Sequence, residues 1–217
     1  MNVKIDIQCQ YKMKSISKLK TDIEIIGLDL SLTGTGWCMS SPDIKSLEYG
    51  EIKTKPDSFN TRRERVEYIT KELICQIIKL PCKQLIIFIE GYSFSKQTSS
   101  LTQLGELGGV IRQMVYSKTG LDAIEIPPGS LKKFICGKGN AHKEDMKLAV
   151  FKKYGMDFQN KSNDSCDAFA LAVFGIALLR LSNNSKLTIP EGEALSSTYK
   201  YSKYSIDRVK EILSLKD

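Results

Sequence analysis

Two hydrophobic periods alternate along the chain. Glu24-Ile25-Ile26-Gly27-Leu28-Asp29-Leu30 is a short apolar run that reads as a strand. Ser31 to Gly36 is rich in Ser, Thr and Gly and reads as a turn, after which Trp37-Cys38-Met39 resumes a strand. A third strand is expected over Tyr49 to Thr54, and the short links predict an antiparallel meander. The period then lengthens: Val66, Ile69, Leu73 and Ile77 fall at helical spacing within 60–79, and Pro81 ends that helix. Leu85-Ile86-Ile87-Phe88-Ile89 is a continuous apolar run of the length and type of a buried central strand, closed by Glu90-Gly91. Leu101, Leu104, Leu107, Ile111 and Met114 predict a second helix over 99–117, and Asp122 to Pro127 a fifth strand. Met146, Ala149, Val150 and Tyr154 mark a helix inside a Lys-rich segment, followed by a polar loop over 155–163. Ser162 or Asn163 can cap a last long helix reaching Leu181. Beyond it lie a Tyr-rich piece (Tyr199, Tyr201, Tyr204) and a short amphipathic helix with Val209, Ile212 and Leu213. The order predicts an α/β domain over 22–184, a five-stranded mixed sheet flanked by helices, with a basic extension over 1–21 and a tail over 185–217.

Composition fits that picture: 41% hydrophobic and 26% charged residues in 217 suit a folded domain and exclude a disordered or collagenous chain. The formal net charge of +7 is unevenly placed. Residues 1–20 carry five Lys against one Asp, residues 129–153 carry seven Lys against two acids, and the rest sums to −2. Two basic segments are the pattern of a footprint for a polyanion, and equally of a solvated surface. Six Cys without a CxxC pair, beside a single His, argue against structural zinc and for reduced cysteines of a cytoplasmic protein. The N-terminus lacks a secretory pattern, and the longest apolar stretch, Ala168 to Leu179, is too short for a membrane span.

Four carboxylates stand where burial makes charge costly. Asp29 closes the first apolar run, Glu90 closes the most hydrophobic strand, and Asp164 and Asp167 open the most hydrophobic helix. The i,i+3 spacing sets the last two on one helix face. Acids at a helix N-terminus also satisfy its dipole, so that pair alone decides little. An acid ending a buried strand has no such explanation. Four converging carboxylates repel one another unless protons or cations intervene, and hard oxygen donors favour Mg²⁺, with Mn²⁺ as a substitute. A cage of this kind holding two ions about 3.5–4 Å apart is the arrangement that cleaves phosphodiesters.

Lys132, Lys133, Lys138 and Lys143 surround Gly137-Lys138-Gly139-Asn140 and could hold phosphates beside such a cluster, or lie in a solvated loop. His142, in the same loop, is better read as a surface or phosphate-contacting residue than as a metal ligand. Tyr92 and Phe94 follow Glu90 directly, where aromatics either stack on bases or pack in a core. Gly105, Gly108 and Gly109, within the second helix, point to close backbone packing against a partner subunit or against the chain's own sheet.

Four of these motifs, in order, resemble a known family. Gly27-Leu28-Asp29-Leu30-Ser31-x-Thr33-Gly34-x-Gly36-Trp37 is similar to the first strand and turn of RuvC-type Holliday junction resolvases. Ile89-Glu90-Gly91 resembles their second acidic motif, and Asp164-Ser165-Cys166-Asp167-Ala168 the start of their last helix. Ser130-Leu131-Lys132-Lys133 through Gly137-Lys138-Gly139-x-Ala141-x-Lys143 resembles their basic segment, so the likeness spans roughly 22–182. It implies an RNase H-like fold and a homodimer whose subunits each cut one strand of a four-way DNA junction with Mg²⁺. Asp29, Glu90, Asp164 and Asp167 would be the metal-binding acids. Lys132 and Lys143 would be the basic residues at the scissile phosphate, and the Gly-bearing helix the dimer contact. The family's wedge aromatic lies three residues after the second acid, where this chain has Ser93, so Tyr92 or Phe94 would substitute. The extensions at both ends suit a phage or other divergent member. Two other readings compete. One is an ATP-binding phosphotransferase of the related actin-like fold, with Asp29-x-Ser31-x-Thr33-Gly34 as phosphate loop. The other is a catalytically silent branched-DNA-binding protein, which would keep the lysines but not need the acids.

Overall fold

Within each strand, alternate residues turn to opposite faces, and each face is apolar enough to need its own cover. A computed structural model describes residues 23–44, 46–77, 84–92, 98–179 and 187–212. Five strands, β1 (Ile23–Asp29), β2 (Gly34–Ser40), β3 (Leu47–Lys53), β4 (Gln84–Glu90) and β5 (Ile124–Ile126), form one sheet in the order β3-β2-β1-β4-β5. The first three are antiparallel neighbours, the expected meander, whereas β4 and β5 run parallel to β1.

Two helices cover one face, α1 (Arg62–Ile77) and α2 (Thr98–Thr119), packing Ile69, Leu73, Leu107 and Ile111 against Ile26, Leu28, Trp37, Ile87 and Ile89. The other face carries α3 (Pro128–Cys136), α4 (Lys143–Tyr154), α5 (Asn163–Leu179), α6 (Ile189–Tyr201) and α7 (Lys203–Ile212) over Ile23, Ile25, Cys38 and Phe88. Helix α5 lies almost on the sheet's backbone, and glycine makes that possible. A Cβ on Gly27 would stand 2.6 Å from the Ala172 backbone nitrogen, and one on Gly36 would meet the Asp164 carbonyl. Ser162 caps α5: its Oγ accepts from the Ser165 amide at 3.2 Å.

The sequence pattern left two features out. Helix α3 is hidden by Pro127-Pro128-Gly129, which resembles a breaker but places Pro128 at the helix start, where proline is favoured. Its end is set by Gly137, whose φ of 81° is a left-handed cap. The tail holds two helices rather than one, and Ala194, Leu195, Ile206 and Val209 join the α5-side core. Among the described residues no helix is long and apolar enough to cross a membrane.

Candidate active site

Register decides which strand-end residues face α5. Ile25 and Gly27 point to that helix, so Asp29, two residues on, does as well; in β4 the same parity carries Ile86, Phe88 and then Glu90. Parallel neighbours end at the same level, which sets both carboxylates at the C-terminal edge of adjacent central strands. Gly36 pairs with Asp29 and has no side chain to fill the space above it, so the first turn of α5 delivers Asp164 and Asp167 to the same place. The four acids picked from the sequence therefore converge, all partly buried.

Their proton affinities report the crowding. Burial, followed by the charges of Glu90, Asp167 and Asp164, holds the Asp29 carboxyl well above its usual range. Burial and then Asp167 push Glu90 up to about 7. Burial raises Asp167 to about 6 even though Lys143 and Lys132 oppose it. Burial and then Glu51 raise Asp164. Lys143, the first residue of α4, acts on all four acids, and Lys132 of α3 on Glu90 and Asp167. Among the described residues, no group of three acidic, His or Cys side chains stands close enough to grip an ion as placed. The donor set nonetheless fits a hard divalent cation: it is all carboxylate oxygen, and every member is held up by burial and by the charge of a neighbouring carboxylate, Glu51 in the case of Asp164, which a cation relieves.

The sequence pattern missed Glu51. It sits on β3 opposite Gly36, which itself sits opposite Asp29, so the three share one face across three strands. Its carboxyl hydrogen-bonds the Asp164 side chain, while Lys53 ion-pairs with it at 3.1 Å. A side chain on Gly34 would collide with both acids, standing 2.6 Å from Glu51 Oε1. Only the pairing register could have revealed Glu51; along the chain it is one more polar residue of an edge strand. Lys147 was also missed: its ammonium donates to the Lys161 carbonyl at 2.9 Å, and its charge reaches Asp167.

The other residues singled out in the sequence lie around this cluster. Lys132 and Lys133 are adjacent on α3 and so diverge by about 100°. Lys133 ion-pairs with Glu193 of α6, and Lys138 with Asp145 at 3.1 Å, so neither acts on the acids as Lys132 does. His142 is the N-cap of α4, its amide donating to Asp145 Oδ2 at 3.2 Å. Tyr92 is not a free stacking ring. Arg112 of α2 lies over it at 4.9 Å and donates to its hydroxyl at 2.7 Å. Gly108 leaves room for that hydroxyl, so its smallness serves the chain's own packing, whereas Gly105 and Gly109 face open space. Phe94 lies outside the described residues. The turn after Asp29 is occupied by its own bonds: the Ser31 amide donates to Thr35 Oγ1 and the Thr33 amide to Ser31 Oγ, each at 3.3 Å, and buried Arg65 donates to the Leu32 carbonyl at 2.9 Å. This stiffens the strand end and leaves little of the turn for a nucleotide phosphate.

Glu90 also makes stability depend on pH. Its folded value lies above the ordinary 4.5, so the stability it contributes is fully present below pH 4.5 and is lost as pH rises through about 7. At pH 8 without divalent ions, Glu90→Gln should melt roughly 5 °C above the parent, and the gap should close near pH 5. Calorimetry at the two pH values checks this; equal melting at pH 8 would mean that the acid is not strained.

A five-stranded mixed sheet in the order β3-β2-β1-β4-β5, flanked by helices on both faces, is the architecture of the RNase H-like class. A family model, Crossover junction endodeoxyribonuclease RuvC, matches residues 25–175, and the chain belongs to that family. A crossover junction endodeoxyribonuclease RuvC from Synechococcus sp. (strain WH7803) is 28% identical over 156 residues, covering 70% of this chain and 97% of the relative. That of Caldicellulosiruptor saccharolyticus is 31% identical, covering 70% and 90%. The fold is similar to Thermus thermophilus RuvC (TM-score 0.59, 20% identity, 73% of this chain and 96% of that one). It is also similar to T. thermophilus RuvC in complex with a Holliday junction substrate (TM-score 0.58, 21% identity, 69% and 90%).

Proposed function

We propose that this protein is a metal-dependent, structure-selective endonuclease that resolves four-way junctions or related branched DNA by paired nicks. The observation that carries it is the convergence of Asp29, Glu90, Asp164 and Asp167 under Lys143, inside a chain of the RuvC family. The four acids would hold Mg²⁺, or Mn²⁺ in its place, as a pair of ions. When bound, such ions activate a water and stabilise the leaving oxygen of an in-line displacement. The water oxygen bonds to phosphorus as the bond to O3′ breaks, and the departing O3′ takes a proton, leaving a 5′-phosphate and a 3′-hydroxyl. Lys143 and Lys132 hold the scissile phosphate against the acids and offset the charge that builds on it. Lys138 extends the basic rim. The pinned Ser31–Thr35 turn speaks against the phosphotransferase alternative, and a silent DNA-binding protein would have no use for strained acids.

Paired cutting requires two subunits. The open face of α2 at Gly105 and Gly109 is where a second copy of the chain would approach. Its setting is the cytoplasm of a bacterium, or of a cell in which a phage is replicating. A supercoiled plasmid extruding a cruciform tests the pairing: coordinated nicks yield linear product, whereas independent nicks yield open circles first. Lys143→Ala should lower the rate at saturating DNA by about a hundredfold while changing affinity less than about fivefold. Strong loss of binding with normal turnover at saturation would remove Lys143 from the reaction centre.

A further inference from the structure

Four acids stand out along the chain, and a fifth, Glu51, reaches them from the edge of the sheet. We propose that Glu51 is a positioning residue for the metal-dependent cleavage: it holds the Asp164 side chain in the place from which that acid takes an ion. This rests on the junction-endonuclease function proposed above.

Glu51 acts on the cluster through Asp164. Strand β3 lies two strands from β1, so the backbone of Glu51 stands about 10 Å from that of Asp29. Its register with Gly36 turns its side chain to the face that α5 covers, and there its carboxyl hydrogen-bonds that of Asp164. The start of α5 is thereby fixed to β3 at two successive residues. Buried Ser165 donates through Oγ to the Gly50 carbonyl at 3.4 Å, which ties the helix itself to the strand. Glu51, next after Gly50, holds the side chain of Asp164, next before Ser165. Gly34 of β2 leaves the room for this. A Cβ there would meet Asp164 Oδ2 and stand 2.6 Å from Glu51 Oε1, so the two carboxyls close over a single point.

Nothing local favours an acid at this position. Glu is a poor strand former, and the Glu51 side chain is only 15% exposed beside a second acid. Lys53 ion-pairs with it at 3.1 Å and also acts on Asp164, but that lysine is 71% exposed and such a pair contributes little by itself. What the position gains is the hold on Asp164. An acid whose side chain is fixed before the ion arrives loses less rotamer freedom on binding it, and partners that orient metal-binding side chains are typically worth about tenfold or more in metal affinity.

Mn²⁺ binding by the full-length protein without DNA, followed by the paramagnetic resonance of the free ion, reads this hold apart from activity. Glu51→Ala should weaken Mn²⁺ binding about tenfold and raise the Mg²⁺ needed for half-maximal nicking by a similar factor. Its affinity for a junction in Ca²⁺ should stay within about twofold of the parent. Glu51→Gln keeps the size and an amide that can donate to Asp164, and should restore metal affinity to within about threefold. Gly34→Ala pushes the tips of the two side chains apart without meeting backbone, and should reproduce the loss seen in Glu51→Ala while melting close to the parent. Parental Mn²⁺ affinity in either Glu51→Ala or Gly34→Ala, from a parent that nicks a junction, overturns the inference alone. Glu51→Gln as weak as Glu51→Ala would mean that the charge of Glu51 acts on the ion directly, which also overturns the positioning role. A parent that neither binds Mn²⁺ nor nicks a junction overturns the endonuclease reading, and this one with it.

Discussion

Asp29→Asn should bind a four-way junction with affinity within about threefold of the parent and nick it at least about a thousandfold more slowly. The side chain stays the same size, so the close approach of α5 over Gly27 and Gly36 is undisturbed, and what disappears is one negative charge at the centre of the cluster. Asp29 is the member whose proton affinity all three other acids raise, which makes it the shared point of the site. Removing an acid also makes the DNA-facing surface less repulsive, so binding has no reason to fall. Glu90→Gln should behave alike. A filter-binding assay in Ca²⁺ beside a cleavage assay in Mg²⁺ separates the two quantities. Parental nicking by both variants would sink the assignment.

Gly27→Ala should cost about 3 kcal/mol and lower the melting temperature by roughly 6–12 °C. The added methyl meets the backbone of Ala168 and Ala172 and not a yielding side chain, so the whole of α5 must lift. That helix carries two of the four acids, and cutting should fall together with stability. Gly192→Ala, on α6, meets nothing within 4 Å and is the control; it should be neutral or stabilising by up to about 1 kcal/mol. Thermal melting of the two variants decides between a tight helix-on-sheet contact and a glycine of no consequence.

Much of this was legible in the chain because burial and function pull in opposite directions at a few residues. Alternating and continuous apolar runs exposed β1 and β4, and an acid at the end of each was conspicuous for that reason. Asp164 and Asp167 stood out through their i,i+3 spacing ahead of an apolar helix. The features that remained hidden depend on partners distant in sequence. Glu51 joins the site only through the pairing of β3 with β2 and of β2 with β1. Lys132 and Lys133 look equivalent until α3 turns one toward the acids and α6 offers Glu193 to the other. Tyr92 reads as a loop aromatic until Arg112, twenty residues on, claims its ring and hydroxyl. The tail's first helix, α6, escaped notice because its sequence mixes Tyr, Lys and Ser with few apolar residues, and its burial comes from α3 and α5.

The most direct measurement is denaturing electrophoresis of a 5′-labelled synthetic four-way junction incubated with the protein in Mg²⁺ or in EDTA, beside a linear duplex of the same arm sequence. The expected result is nicking near the branch point in Mg²⁺ alone, with 5′-phosphate ends and an intact duplex. Cleavage that persists in EDTA, or that treats duplex and junction alike, or no cleavage at all, would contradict it.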